Sequence, residues 1–170
     1  EYFAATIGGL GLTGLITWAE FSLKKIQTSF IYQEILKFRS LDEFLEINKT
    51  SNENYVYTVS WFDSLGGGIE TGKIKGLYIR GRHAFKEEAP SVSLPKKGLP
   101  LAVPFDCPNF VLSSWSVRAF NFLYFQKTRK EFSRAIVPYN PFFYPLDSVL
   151  HWNRIYGKRG FLQYQFVVPF

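Results

Sequence analysis

The chain has 170 residues, of which 46% are hydrophobic and 19% aromatic, and a net charge of +6. That is long enough for one domain with a real core and too apolar for disorder. One cysteine, Cys107, excludes an intramolecular disulfide and a cysteine-based zinc cluster, and two scattered histidines, His83 and His151, leave no metal constellation.

No apolar run approaches the ~20 residues of a membrane span. The chain holds no Met and starts at Glu1, so it reads as a piece of a longer protein or a processed chain. Its basic residues are scattered in small clusters, the densest running from Lys127 to Lys130. Such a balance suits an anionic partner (nucleic acid, acidic lipid or a phosphorylated substrate) as readily as it suits a plain solvated surface.

Residues 1–7 read as a short helix running into a glycine-rich turn. Gly9, Gly11 and Gly14 satisfy the letter of G-x-G-x-x-G, yet that fingerprint needs a strand before it and a helix after it. Here the order is reversed, because Leu15, Thr17, Ala19, Phe21 and Leu23 alternate with their neighbours as in a strand. A dinucleotide fingerprint is therefore rejected.

A strand is expected over 27–38. A helix follows, with Ser40 as N-cap and Glu43 at the capping-box position, turning Leu41, Phe44, Leu45 and Asn48 inward. Residues 55–63 form a β-rich strand ending in Trp61, Phe62 and Asp63. A glycine loop over 64–68 leads to a strand over 69–82. Residues 86–104, rich in proline and without periodicity, read as a mobile loop. A helix over 117–128 and a strand over 131–139 come next.

Pro145 suits the first position of a helix and Gly157 its stop, with Leu146, Val149, Leu150, Asn153 and Tyr156 on one face. In 160–169, strand alternation puts Leu162, Tyr164, Phe166 and Val168 on one face, and Phe161, Gln163, Gln165 and Val167 on the other. Amides among apolar neighbours suit a face that meets an uncharged polyol or the polar edge of a ring. A half-exposed strand whose glutamines face water gives the same pattern. Strands and helices mixed in this way indicate an α+β fold, one large mostly antiparallel sheet covered by helices on one face, with the other face walling a cavity.

Several of these stretches carry a family likeness. The pattern "PLD…WNR.YG..GFLQYQFV.P", the glycine turn "ATIGGLGLTGLIT", and "VSWFD" followed by "RGRHA" resemble the decaprenylphosphoryl-ribose 2-oxidases, FAD-linked oxidases of the vanillyl-alcohol-oxidase superfamily. The resemblance implies that residues 1–26 close the FAD-binding domain or form its junction, and that 27–170 belong to the substrate-binding domain, incomplete here. It implies oxidation of a secondary sugar alcohol with FAD, with Gly14 and Ile16 against the cofactor and Trp61, Phe143, Leu146, Gln163 and Gln165 around the substrate. No catalytic acid or base is implied within the chain, and this piece alone is expected to be inactive and not to retain FAD.

The implied substrate is a sugar or lipid-linked sugar, a polyprenyl-phosphate-linked pentose used in cell-wall biosynthesis. Contact with a membrane periphery and a partner reductase are implied too, in a cytoplasmic or periplasmic setting. One departure stands out. Where the family has F-Y-H-P-L, this chain has Phe142-Phe143-Tyr144-Pro145-Leu146, losing a hydroxyl and a histidine. An aldonolactone-type oxidase would share the fold, and a non-enzymatic basic and aromatic binding module would share the composition. Nucleic acid is disfavoured, since the aromatics follow core spacing.

Overall fold

The computed structural model describes residues 1–66, 74–89, 101–158, 160–165 and 167. Its centre is a four-stranded antiparallel sheet of β1 (Phe30–Phe38), β2 (Tyr57–Asp63), β3 (Lys75–His83) and β5 (Phe132–Pro138), in the order β2-β3-β1-β5. A separate two-stranded parallel pair joins β4 (Leu101–Ala102) to β6 (Val149–Leu150). The helices are α1 (Tyr2–Thr6), α2 (Leu41–Asn52), α3 (Ser114–Lys127) and α4 (Tyr139–Phe143). This is the α+β arrangement that the sequence implies. No helix among the described residues is long and apolar enough to cross a membrane.

Register divides the sheet into two chemically distinct faces. Leu36 pairs with Tyr78, Glu34 with Arg80 and Phe38 with Gly76, so the even positions share one face. Helix α2 covers it. Its start is built as the sequence implies: the Ser40 hydroxyl accepts from the Glu43 N–H at 3.1 Å. The Glu43 carboxylate accepts from the Arg39 N–H, one residue ahead of the cap. Phe44 and Ile47 reach down onto Phe38, Ile74 and Tyr78, the main buried cluster, and the Tyr78 hydroxyl donates to Asn48 at 2.8 Å. Leu41 and Leu45, expected to point inward, stay largely exposed because α2 presents its 44–47–48–51 side to the sheet.

Beside this cluster lies a polar one. The Glu34 side chain is only 8% exposed and pairs with Arg80 at 2.7 Å, while Tyr32 and Tyr55 donate their hydroxyls to it at 3.0 and 2.7 Å. Arg80 also donates to Ser51 and lies over the Tyr55 ring. Burial by itself raises the Glu34 pKa, but the hydrogen bonds from Tyr55, Arg80 and Tyr32 outweigh it and hold the carboxyl below the usual range. At the strand end, Arg82 forks onto Glu88 with two contacts of 2.7 Å. That bidentate contact and the Phe85 N–H lower the Glu88 pKa to about 2.

Three expectations are corrected by the structure. Residues 145–157 are not one helix but two 3-10 turns, Pro145–Ser148 and Trp152–Tyr156. Between them Val149 and Leu150 pair with Leu101 and Ala102, and His151 turns to a left-handed φ of 55°. A β-bridge to a distant segment outcompetes local helix here, as β-branched and turn-prone residues allow. The described part of 160–169 pairs with no strand, and Leu162 and Tyr164 lie exposed; Phe166 and Val168 fall outside the described residues. The alternating run 15–24 is likewise unpaired and exposed. Alternation equips a segment to be a strand, but only a neighbouring strand makes it one. The last two residues of the 64–68 loop, the start of the expected 69–82 strand and the centre of the 86–104 loop lie outside the described residues.

Candidate substrate cleft

The odd positions form the other face of the sheet, and α2 leaves it open. Gln33 and Ile35 of β1, Leu77 and Ile79 of β3, and Tyr57, Val59 and Trp61 of β2 floor a cleft of about 1180 Å³. The cleft is somewhat larger than the roughly 300–1,000 Å³ usual for small-molecule sites, and like them it is mainly apolar.

Two helices bound the cleft. At one end α3 is tied down by buried polar and aromatic contacts. Asn121 Nδ2 donates to Asp63 Oδ1 at 2.7 Å, and Asp63, 2% exposed, also meets Lys75 Nζ at 3.3 Å. The Phe125 ring sits under the Lys37 and Lys75 ammonium groups. This anchoring sets Tyr124 edge-on to Trp61, with ring centroids 4.9 Å apart.

At the other end α4 brings Phe142 and Phe143 onto the sheet. Phe143 meets Tyr57 edge-to-face at 4.8 Å. Phe142 can settle there only because position 81 is glycine: a Cβ at Gly81 would stand 2.8 Å from the Phe142 ring and 2.9 Å from Ile31. Close approach, rather than a special φ, is what this glycine supplies.

Charged groups are few and of one sign among the described residues. Gln33 offers an amide from the floor, and Lys127, Arg129 and Lys130, in the turn from α3 to β5, line one side. No carboxylate and no imidazole line the cleft among the described residues. The arrangement can hold an apolar or ring-shaped ligand and attract an anion, but it contributes no carboxylate or imidazole for proton transfer. Nor could any group of three or more His, Cys, Asp and Glu among the described residues hold a metal ion.

Trp61 and Phe143 line the cleft together, at opposite ends of the β2 floor. Leu146 is half-exposed and does not line it, although the preceding Pro145 does. Gln163 and Gln165 lie exposed and do not line it. Gly14 and Ile16 belong to the exposed N-terminal segment, where a Cβ at Gly14 would meet nothing within 4 Å. Two contributors went unforeseen. Gln33 sits between Ile31 and Ile35 on one strand face, the same amide-among-apolars signal that drew attention to Gln163. The Lys127–Lys130 cluster was visible as charge, but nothing in the sequence placed it at a cleft.

A sheet with one face under α2 and the other bearing an open, apolar cleft between α3 and α4 defines the chain as an α+β domain with a candidate ligand site. Comparison with known proteins narrows this. Over 176 aligned positions the chain is 32% identical to decaprenylphosphoryl-beta-D-ribose oxidase of Mycolicibacterium smegmatis (strain ATCC 700084 / mc(2)155), a match that takes in 99% of this chain. An uncharacterized protein from the mprA 5' region of Streptomyces coelicolor is 30% identical over 89 positions, 52% of this chain. The chain spans 37% of the length of the first relative and 24% of the second. No protein-family profile matches the chain. The resemblance read from the motifs is borne out along nearly the whole chain by the mycobacterial oxidase.

Proposed function

We propose that this chain forms the substrate-binding part of an FAD-dependent oxidoreductase that oxidises a secondary hydroxyl of a sugar carried on a lipid phosphate, such as a polyprenyl-phosphate-linked pentose. One observation carries the reading: the cleft joins an apolar floor that includes Tyr57 and Trp61 to a rim bearing Lys127, Arg129 and Lys130, with no carboxylate in its lining among the described residues. A neutral sugar needs no such rim, whereas a phosphate ester of a sugar does. Similarity to an oxidase over 99% of the chain supports the same conclusion.

Within this reading Trp61 and Phe143 pack on the faces of the sugar and the first isoprene units, and Gln33 hydrogen-bonds a hydroxyl from below. Leu146, beside Pro145, extends the apolar wall. Gln163 and Gln165 close over the sugar from the C-terminal segment. Bound FAD would supply the hydride acceptor for oxidation of the secondary hydroxyl. The residues that would lie against it are Gly14 and Ile16. They fit that role as far as open backbone goes, since Gly8, Gly11 and Gly14 take positive φ and leave space where side chains would stand. The rest of the cofactor's enclosure would come from outside these residues, and a partner reductase would consume the keto product.

The test is substrate-dependent bleaching of flavin absorbance in the full-length protein. A polyprenylphosphoryl pentose is expected to bleach it, and free pentose or an aldonolactone to do so at least tenfold more slowly. Equal or faster bleaching by the lactone would refute the reading in favour of an aldonolactone-type oxidase. Absence of bound flavin from the full-length protein would refute it in favour of a binding module.

A further inference from the structure

Helix α3 is apolar on two sides, which a surface helix ordinarily is not. Its inner side, Asn121, Tyr124 and Phe125, is spent on the sheet and the cleft. Its outer side carries Trp115, Ala119, Phe122 and Leu123, spaced i, i+4, i+7 and i+8 along one stripe. All four are exposed, Trp115 by 80% and Leu123 by 66%. Just ahead of the helix Phe105 and Phe110 are exposed too, and the 3-10 turn Asn109–Leu112 is held to α3 by the Ser116 hydroxyl, which donates to the Val111 carbonyl at 2.6 Å. Single exposed apolar residues are ordinary, but a contiguous apolar stripe marks a docking surface.

Charge identifies what docks. Residues 107–130 contain no Asp or Glu and four cations, Arg118, Lys127, Arg129 and Lys130, all exposed. At about 100° per residue, Arg118 and Lys127 fall on opposite flanks of the stripe. A purely apolar protein partner would leave those cations unpaired, and a second copy of this chain brings a net charge of +6 of its own. An anionic bilayer gains from both features, because the aromatic side chains enter the boundary below the headgroups while the basic ones stay among them. We propose that the outer face of α3 docks on an anionic lipid surface, with Trp115, Phe122 and Leu123 inserted and Arg118, Lys127, Arg129 and Lys130 in the headgroup layer. Tyr124 and Lys127 also line the cleft, so docking brings its mouth beside the bilayer. The proposal does not depend on what the cleft binds.

Sedimentation of the full-length protein with vesicles tests it. Vesicles with about a third phosphatidylglycerol should carry the protein down and pure phosphatidylcholine should not, with binding weakening as salt rises. Trp115→Ser with Leu123→Ser, and separately Arg118→Glu with Lys130→Glu, should each weaken that binding at least tenfold while circular dichroism stays unchanged. Vesicles with brominated acyl chains should quench tryptophan emission in the parent and markedly less in Trp115→Phe, which should still bind. Failure to sediment with anionic vesicles, as when the stripe is covered by other parts of the same polypeptide, overturns the proposal. So does equal binding by the Ser variant, or a concentration-dependent dimer that the Ser variant abolishes without any vesicle binding.

Discussion

Replacing Arg80 with Leu tests the polar cluster that locks β1, β3 and α2 together beneath the cleft. The substitution leaves the Glu34 carboxylate, 8% exposed, with two tyrosine hydroxyls and no cation, and removes the Arg80 bond to Ser51. Breaking a buried pair by deleting one partner costs about 3–5 kcal/mol, since the remaining charge is neither solvated nor neutralised. Both side chains are well below a third exposed, so solvent screening does not erase this. For a chain of this size that lowers Tm by roughly 6–20 °C, at about 2–4 °C per kcal/mol.

Urea unfolding at pH 7 and pH 4 measures the effect and its cause. In the parent the Glu34 pKa is depressed, so its contribution is fully present above the unfolded value of about 4.3 and is lost as pH falls through the folded pKa. In Arg80→Leu, burial is opposed by less and the carboxyl pKa rises, so the deficit should narrow as pH drops toward 4. Adding Glu34→Gln to Arg80→Leu should recover more than half of the loss at pH 7, because the amide is uncharged and still accepts from the tyrosines. A deficit under about 1 kcal/mol, the size of an exposed pair, would refute the reasoning, and so would a deficit that does not change with pH.

Other substitutions probe the cleft directly. Gln33→Leu should leave unfolding nearly unchanged but lower turnover efficiency roughly threefold to tenfold, the worth of one hydrogen bond to bound ligand. Gln165→Leu in the full-length protein should behave alike, and normal turnover in it would remove that amide from the site. Gly81→Ala should cost about 1–3 kcal/mol in urea unfolding and shift the Phe142 ring, because the added Cβ overpacks the cleft's end. Asp63→Ala strips Asn121 of its buried partner and should cost about 1–3 kcal/mol, with faster hydrogen exchange in α3 as the specific readout.

The sheet was largely legible in the sequence. β1, β2, β3 (overlapping the expected 69–82 strand) and β5 announce themselves by alternation, and α2 by its Ser40–Glu43 start, because each carries its period and its punctuation locally. What failed was pairing. Nothing within 160–165 or 15–24 says whether another strand lies alongside, and the structure gives those stretches none among the described residues. The 145–157 stretch failed for the converse reason: Leu101 and Ala102, more than forty residues away, draw Val149 and Leu150 into a bridge that no local pattern foretells. At the cleft, Trp61 and Phe143 came from motif. Gln33 was hidden in plain alternation, and the Lys127–Lys130 rim needed the turn between α3 and β5 to bring it there.

Strand β1 writes two chemistries into one line of backbone, with Gln33 facing the cleft and Glu34, its immediate neighbour, facing the buried ion cluster. A single inserted or deleted residue within Phe30–Phe38 would exchange them, driving a carboxylate into the cleft and an amide against Arg80. Both faces would fail at once. Swaps at fixed positions and length changes in the connecting loops keep both faces in register, whereas laboratory libraries that vary strand length here should be depleted of folded members except where a β-bulge absorbs the change.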